Sequence, residues 1–363
     1  MTRPSPLSGR ARETSGAKIS FSLPIPLWLA IKAALVMLSG LLLCFPAQAQ
    51  SYRQEYRLSC VLATAFPWGQ AAERWAELVR ERTQGRINIR VYTGASLVGG
   101  EQTREFPAIQ QGIIDMAVGS SINWSPQIKE LNLFSLPFLL PDYRALDALT
   151  QGEVGRELFA RLDAAGVVPL AWGENGFREL SNSRKAITSP ADLKGMKFRA
   201  VGSPVFSDIF TALNARPMPM SWVDAQPALA SGLVDGQENP LSVFVASSMV
   251  DFGQRHLTLW HYVADPLIFV VNKEVWANWS ARDRQLVQLA AQQAARENID
   301  RARQGSDVNT LRRLERSGVT ISQLNTAQRA AFVQATRNVY DKWRRVVGPE
   351  LVEKAEKSIA ASR

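Results

Sequence analysis

The chain has 363 residues, room for two domains at about 150 residues each, and its 46% hydrophobic and 21% charged residues exclude a disordered polypeptide. Two histidines and two cysteines leave little material for a metal centre or a disulfide scaffold. The net charge of +9, from 42 Lys+Arg against 33 Asp+Glu, would suggest nucleic acid if it were concentrated in the folded body, and it is not.

Much of the excess sits at the start. Arg3, Arg10, Arg12, Lys18 and Lys32 precede an apolar run over 33–45 and then Ala47-Gln48-Ala49, a small-x-small cleavage pattern. The run is about 13 residues, where a permanent bilayer span needs about 20. This pattern predicts a secretory signal peptide over 1–49, cut after Ala49, and hence an exported protein; an uncleaved N-terminal anchor is the rival reading. Cleavage removes five basic residues and Glu13, which leaves about +5 and no basic block with interleaved aromatics. No nucleic-acid partner is expected. Cys44 leaves with the leader, and Cys60, alone in an apolar stretch, reads as a buried, inert thiol.

Beyond the leader, strand-like and helix-like segments alternate, the pattern of an α/β fold. A strand is expected over 56–63. After Pro67 comes a helix with Ala71, Trp75, Leu78 and Val79 on one face, closed by Gly85. The alternation over 86–92 predicts a second strand, followed by a helix over 101–111, an apolar run over 113–118 and a buried strand over 166–172. A second unit begins near Ser181. Ser189-Pro190-Ala191-Asp192 opens a short helix, a strand follows over 196–201, then a helix over 204–213, the strand-like 217–220 and a helix over 223–233. A strand is expected over 266–271. Ser280 and Asp283 then cap a long helix whose Val287, Ala291, Ala295 and Ile299 recur every four residues, suited to close packing against two bodies or to an ordinary surface helix.

Catalytic signatures are poor. There is no GxSxG elbow, Walker loop or HExxH. His256 and His261 do not share a helical face, and the glycines of 94–100 read as a plain turn. Asn123-Trp124-Ser125 and Asn278-Trp279-Ser280 match only the short and frequent glycosylation pattern. No catalytic residue, metal or cofactor is expected.

Four segments carry more specific information: Glu174-Asn175-Gly176-Phe177-Arg178, Asp192-Leu193-Lys194-Gly195-Met196-Lys197-Phe198-Arg199, Pro217-Met218-Pro219-Met220, and Gly232-Leu233-Val234-Asp235-Gly236-Gln237-Glu238-Asn239-Pro240. In order and spacing they resemble the periplasmic solute-binding proteins of tripartite ATP-independent periplasmic (TRAP) transporters, the C4-dicarboxylate and sialic-acid receptor family. The resemblance implies a two-lobed α/β binding protein, each lobe a central sheet flanked by helices, with a long helix spanning both. Residues 50–175 would open lobe 1, 176–264 lobe 2, 265–304 return to lobe 1 with the start of the long helix, and 305–363 supply C-terminal helices to lobe 2. The function implied is capture of an organic acid between the lobes and delivery to the membrane subunits of a secondary transporter. A partner of a signalling receptor, or an enzyme using the same cleft, are the alternatives.

In this resemblance Arg199 pairs with the ligand carboxylate, and Arg178, Asn239 and Trp222 match further binding positions. The chemistry agrees: a carboxylate stripped of water needs a charged, forked donor, and guanidinium stays charged when buried. An asparagine amide adds a donor without charge, and a tryptophan covers an apolar ligand body. In the first loop, where sialic-acid receptors have small polar residues, Phe66 and Trp68 dominate and only Thr64 is polar. That departure favours a monocarboxylate with an apolar body, with a small dicarboxylate or 2-oxo acid next, unless the two aromatics pack inside the first lobe.

Overall fold

The computed structural model describes residues 52–362; the leader and Cys44 lie outside the described residues. Ten strands alternate with helices: β1 Tyr56–Cys60, α1 Pro67–Arg82, β2 Ile89–Tyr92, β3 Met116–Ser120, α2 Tyr143–Gln151, α3 Glu153–Ala164, β4 Val167–Asn182, β5 Lys197–Ala200, α4 Pro204–Ala212, β6 Arg216–Pro219, α5 Trp222–Ala230, β7 Gly236–Pro240, β8 His256–Leu259, β9 Ala264–Asn272, α6 Ala281–Gln304, β10 Thr320–Gln323, and helices at the C-terminal end. The strands form one mixed sheet in the order β2-β1-β3-β9-β4-β7-β5-β6, with β8 beside β4 and β10 beside β8. This is the expected α/β class, a mixed sheet flanked by helices.

Two parallel sets, β2-β1-β3 and β7-β5-β6, stand on either side of an antiparallel centre made by β9 and β4. Strand β4 joins them. From Val167 to Phe177 it pairs with β9, and from Arg178 to Asn182 it pairs with β7. The sequence predicted only a strand over 166–172 and a fresh unit near 181, and Gly173, Asn175 and Gly176 lie in the stretch between them. The ladder absorbs them in a register shift between Glu174 and Gly176, and Gly176 takes a φ of 124° that a side chain would resist.

Helix α1 shows why the elements pack as they do. Pro67 opens it, with its φ fixed for a helix start and no N–H to satisfy. Trp68, Ala71, Ala72, Trp75, Leu78 and Val79 face the core, as the periodicity required, and each large side chain so buried is worth about 1.5–3 kcal/mol. Its start is held against the loop after β1 by Gly69, where a Cβ would lie 2.0 Å from the Ala63 carbonyl oxygen. Helix α6 begins as expected, with Ser280 Oγ accepting from the Asp283 amide at 3.1 Å. Its buried Val287, Ala290, Ala291, Ala294 and Ala295 permit close approach to α1 and β4. The stripe continues through Asn298 rather than Ile299: Asn298 accepts from the Glu174 amide at 2.8 Å and donates to the Pro67 carbonyl at 3.3 Å, so a polar side chain ties three elements. Cys60 is buried, and burial raises its thiol pKa well above the ordinary value, which keeps it protonated and unreactive.

Candidate functional site

Parallel strands leave their carboxyl ends free for ligands where neighbouring chain segments diverge. Here the ends of β1, β3, β5 and β7 surround a cavity with about 290 Å³ of atom-free space. Val61 and Leu62 follow β1, Ser120 ends β3, Arg199 and Val201 come from β5 and its exit, and Asn239 from β7. Trp68, Gln102, Asn123, Asn175, Arg178, Trp222 and Asp265 complete the wall. Five of the six residues singled out in the sequence thus meet on one cavity.

Arg199 is 1% exposed and forms no ion pair with any carboxylate among the described residues. Its Nη2 donates to the Met220 carbonyl at 3.0 Å, and its Nε, also buried, has no partner. Burial first, and the charge of Arg178 second, lower its pKa to about 10, with Glu238 opposing. The Trp222 ring lies 5.8 Å from its Cζ. A guanidinium that is desolvated, without a carboxylate partner and open to a cavity can pair with an anion that enters it.

Arg178 is the opposite case. Its Nε donates to Glu238, its Nη2 to Glu238 Oε1 at 2.9 Å and to Asn239 Oδ1 at 3.0 Å, and its Nη1 to Asp265 Oδ2 at 3.3 Å. Burial works against its charge, yet Glu238 and Asp265 hold its pKa above the usual value. Tyr262 adds a hydrogen bond to Glu238 Oε2 at 2.8 Å. Asn239, which the resemblance offered as a donor to ligand, here accepts from Arg178 and donates to Gln237 Oε1 at 2.5 Å.

Trp222 opens α5, and its amide donates to Gln102 Oε1 at 3.0 Å. Gln102 in turn donates to Asn123 Oδ1 at 2.7 Å, so one side chain connects the start of α5 to the segment after β3. Trp68 lies in the wall with its indole N–H donated to the Val118 carbonyl at 2.7 Å. Phe66 does not line the cavity. It occupies the extended N-cap position before Pro67 and packs half-buried on the core under α1, which was the other reading of this aromatic pair. Thr64 is exposed and stands outside the wall as well.

Gln102, Ser120, Asn123, Asn175 and Asp265 were not singled out as binding residues. Asn123 drew notice only as a glycosylation match, and its side chain is buried in the wall. Asp265 could have been read from the sequence as an acid beside Pro266 at the start of a buried strand, but nothing in the local pattern says which face it takes. It accepts from Ser120 Oγ at 2.5 Å, Asn175 Nδ2 at 2.8 Å and Arg178. Burial raises its pKa despite these donors. Ser120 also caps the turn that follows β3, accepting from the Ile122 and Asn123 amides at 3.1 and 3.4 Å. Among the described residues no group of three or more His, Cys, Asp or Glu is arranged to hold a metal ion.

Comparison with known proteins places this geometry. The family model for bacterial extracellular solute-binding protein, family 7, matches residues 58–345. A TRAP periplasmic solute-binding protein from Ralstonia eutropha, solved with bound (S)-2-hydroxy-2-methyl-3-oxobutanoate, is 59% identical with a TM-score of 0.85, covering 85% of this chain and all of its own. One from Sulfurospirillum deleyianum with bound succinate is 27% identical with a TM-score of 0.77, over 83% of this chain and 97% of that one. The C4-dicarboxylate-binding periplasmic protein of Rhodobacter capsulatus is 30% identical over 89% of this chain and 96% of its own length. The chain belongs to the family 7 bacterial extracellular solute-binding proteins and is a substrate-binding receptor of the TRAP type for organic acids.

Proposed function

We propose that this receptor binds a short, branched monocarboxylate carrying hydroxyl or oxo groups near its carboxylate, with Arg199 as the anchor. The observation that carries the reading is the buried, unpaired guanidinium of Arg199 on the cavity wall. Trp222, Trp68, Val61 and Leu62 supply an apolar surround for the ligand body, and Asn239, Asn123 and Gln102 its polar rim, with Arg178 held in the wall by its own acids. The 59%-identical relative with its bound branched hydroxy-oxo acid supports the same class.

The remaining steps are part of the same reading. The leader is removed after Ala49 and the mature protein works in the periplasm. The two strand sets belong to two lobes that close on the acid. The loaded receptor docks on membrane subunits of a secondary transporter, and the ligand is released unchanged. Titration calorimetry on ligand-stripped mature protein tests this: (S)-2-hydroxy-2-methyl-3-oxobutanoate should bind saturably and be recovered intact by mass spectrometry. Failure to bind any short carboxylate, or conversion of the bound acid, would defeat the proposal.

A further inference from the structure

The charges around the cavity are already balanced before any ligand arrives. Two guanidinium groups, Arg178 and Arg199, face two carboxylates, Glu238 and Asp265, and all four are at most 3% exposed. A first ligand carboxylate finds Arg199, which has no acid of its own. A second finds nothing, because every nitrogen of Arg178 already donates, to Glu238, Asp265 or Asn239. The rest of the polar wall, Gln102, Ser120, Asn123, Asn175 and Asn239, is uncharged. Among the described residues Asp265 is the one carboxylate that itself lines the cavity, and three donors hold it there: Ser120, Asn175 and Arg178.

We infer that Asp265 is a specificity-determining residue that restricts this receptor to singly charged acids by repelling a second carboxylate. The inference rests on the monocarboxylate reading above and gives it a physical cause. In a water-poor cavity, like charges that share no cation are screened weakly, so the penalty falls on the dianion and not on a neutral group of the same shape. Fixing Asp265 through two neutral side chains and one shared guanidinium keeps its charge in the wall without lending a free cation to the ligand.

Three acids of one shape and size test this. They are 2-hydroxy-2-methyl-3-oxobutanoate, the monoamide of 2-hydroxy-2-methylpropanedioate, and 2-hydroxy-2-methylpropanedioate itself, which place a methyl, an amino group and a negative oxygen at the same position. Calorimetry at pH 7.5 on the wild-type receptor should give affinities within about tenfold for the first two and at least a hundredfold weaker binding of the dianion. Asp265→Asn should narrow the gap between amide and dianion by tenfold or more, and Asp265→Ser serves if the asparagine variant does not fold. A dianion bound as tightly as the amide by the wild type overturns the proposal whatever the variants do, as does an unchanged gap in a folded variant. Failure of the underlying reading looks different: the monoanion would then bind equally well to Arg199→Met.

Discussion

Replacing Arg199 by methionine should move stability and binding in opposite directions. The folded pKa of about 10, against an ordinary 12.5, corresponds to about 3 kcal/mol held against the charged side chain by its burial. Methionine removes that strain. It also removes the charged hydrogen bond to the Met220 carbonyl, about 1.5 kcal/mol, and the contact with Trp222, about 0.5 kcal/mol. The balance leaves the ligand-free variant about 1 kcal/mol more stable, a rise of about 2 °C in Tm for a chain of this size. Binding of (S)-2-hydroxy-2-methyl-3-oxobutanoate should weaken by about 2–5 kcal/mol, some 30- to 5,000-fold, since a buried carboxylate would lose its only cation. Scanning calorimetry on ligand-stripped protein and titration calorimetry read the two effects separately. A variant that melts several degrees lower and still binds within threefold would refute the reasoning, because the guanidinium would then be a structural group.

Two further perturbations probe the walls behind the site. Glu105 is fully buried with Oε2 unpartnered, and burial, only partly opposed by the 2.5 Å hydrogen bond from Ser59, raises its pKa to about 7. Its contribution is present below the unfolded value near 4.5 and is lost as pH rises towards 7, by up to about 3 kcal/mol. Glu105→Gln should therefore gain stability relative to wild type as pH rises across that window, and a wild-type-minus-variant difference flat from pH 4.5 to 8 would contradict it. Gly69→Ala places a methyl 2.0 Å from the Ala63 oxygen and 2.6 Å from that of Leu62, both backbone atoms that cannot step aside. It should cost about 3 kcal/mol or more in urea unfolding and weaken ligand binding as well, since Leu62 lines the cavity; unchanged unfolding would show that the loop yields.

How much of this was legible in the sequence depended on whether the information was local. The strand bearing Arg199 sits in a short, dense motif and folds where the sequence predicts it, whereas the strand Gly236–Pro240 that carries Asn239 was not predicted, although its motif was singled out. The helix after Pro67 and the cap at Ser280 were equally plain, because proline geometry and side-chain capping act within a few residues. The full run of β4 was not. Its glycines and Asn175 look like an ending, and only the ladder with β9 turns them into a shifted register. The β8–β10 pair joins His256–Leu259 to Thr320–Gln323 across a long intervening stretch, and no local pattern announces it. The same holds within the site. Arg199 and Arg178 both match binding positions, but their difference in role rests on Glu238 and Asp265, which come from separate strands.

Strand β4 has one more consequence, for how the molecule comes apart. Its first part is zipped to β9 and its last part to β7, so neither strand set can fray away without stripping hydrogen bonds from a segment the other still holds. Two structural halves sewn by one uninterrupted backbone should therefore melt together, in a single cooperative step, where halves linked by a loose tether would give two.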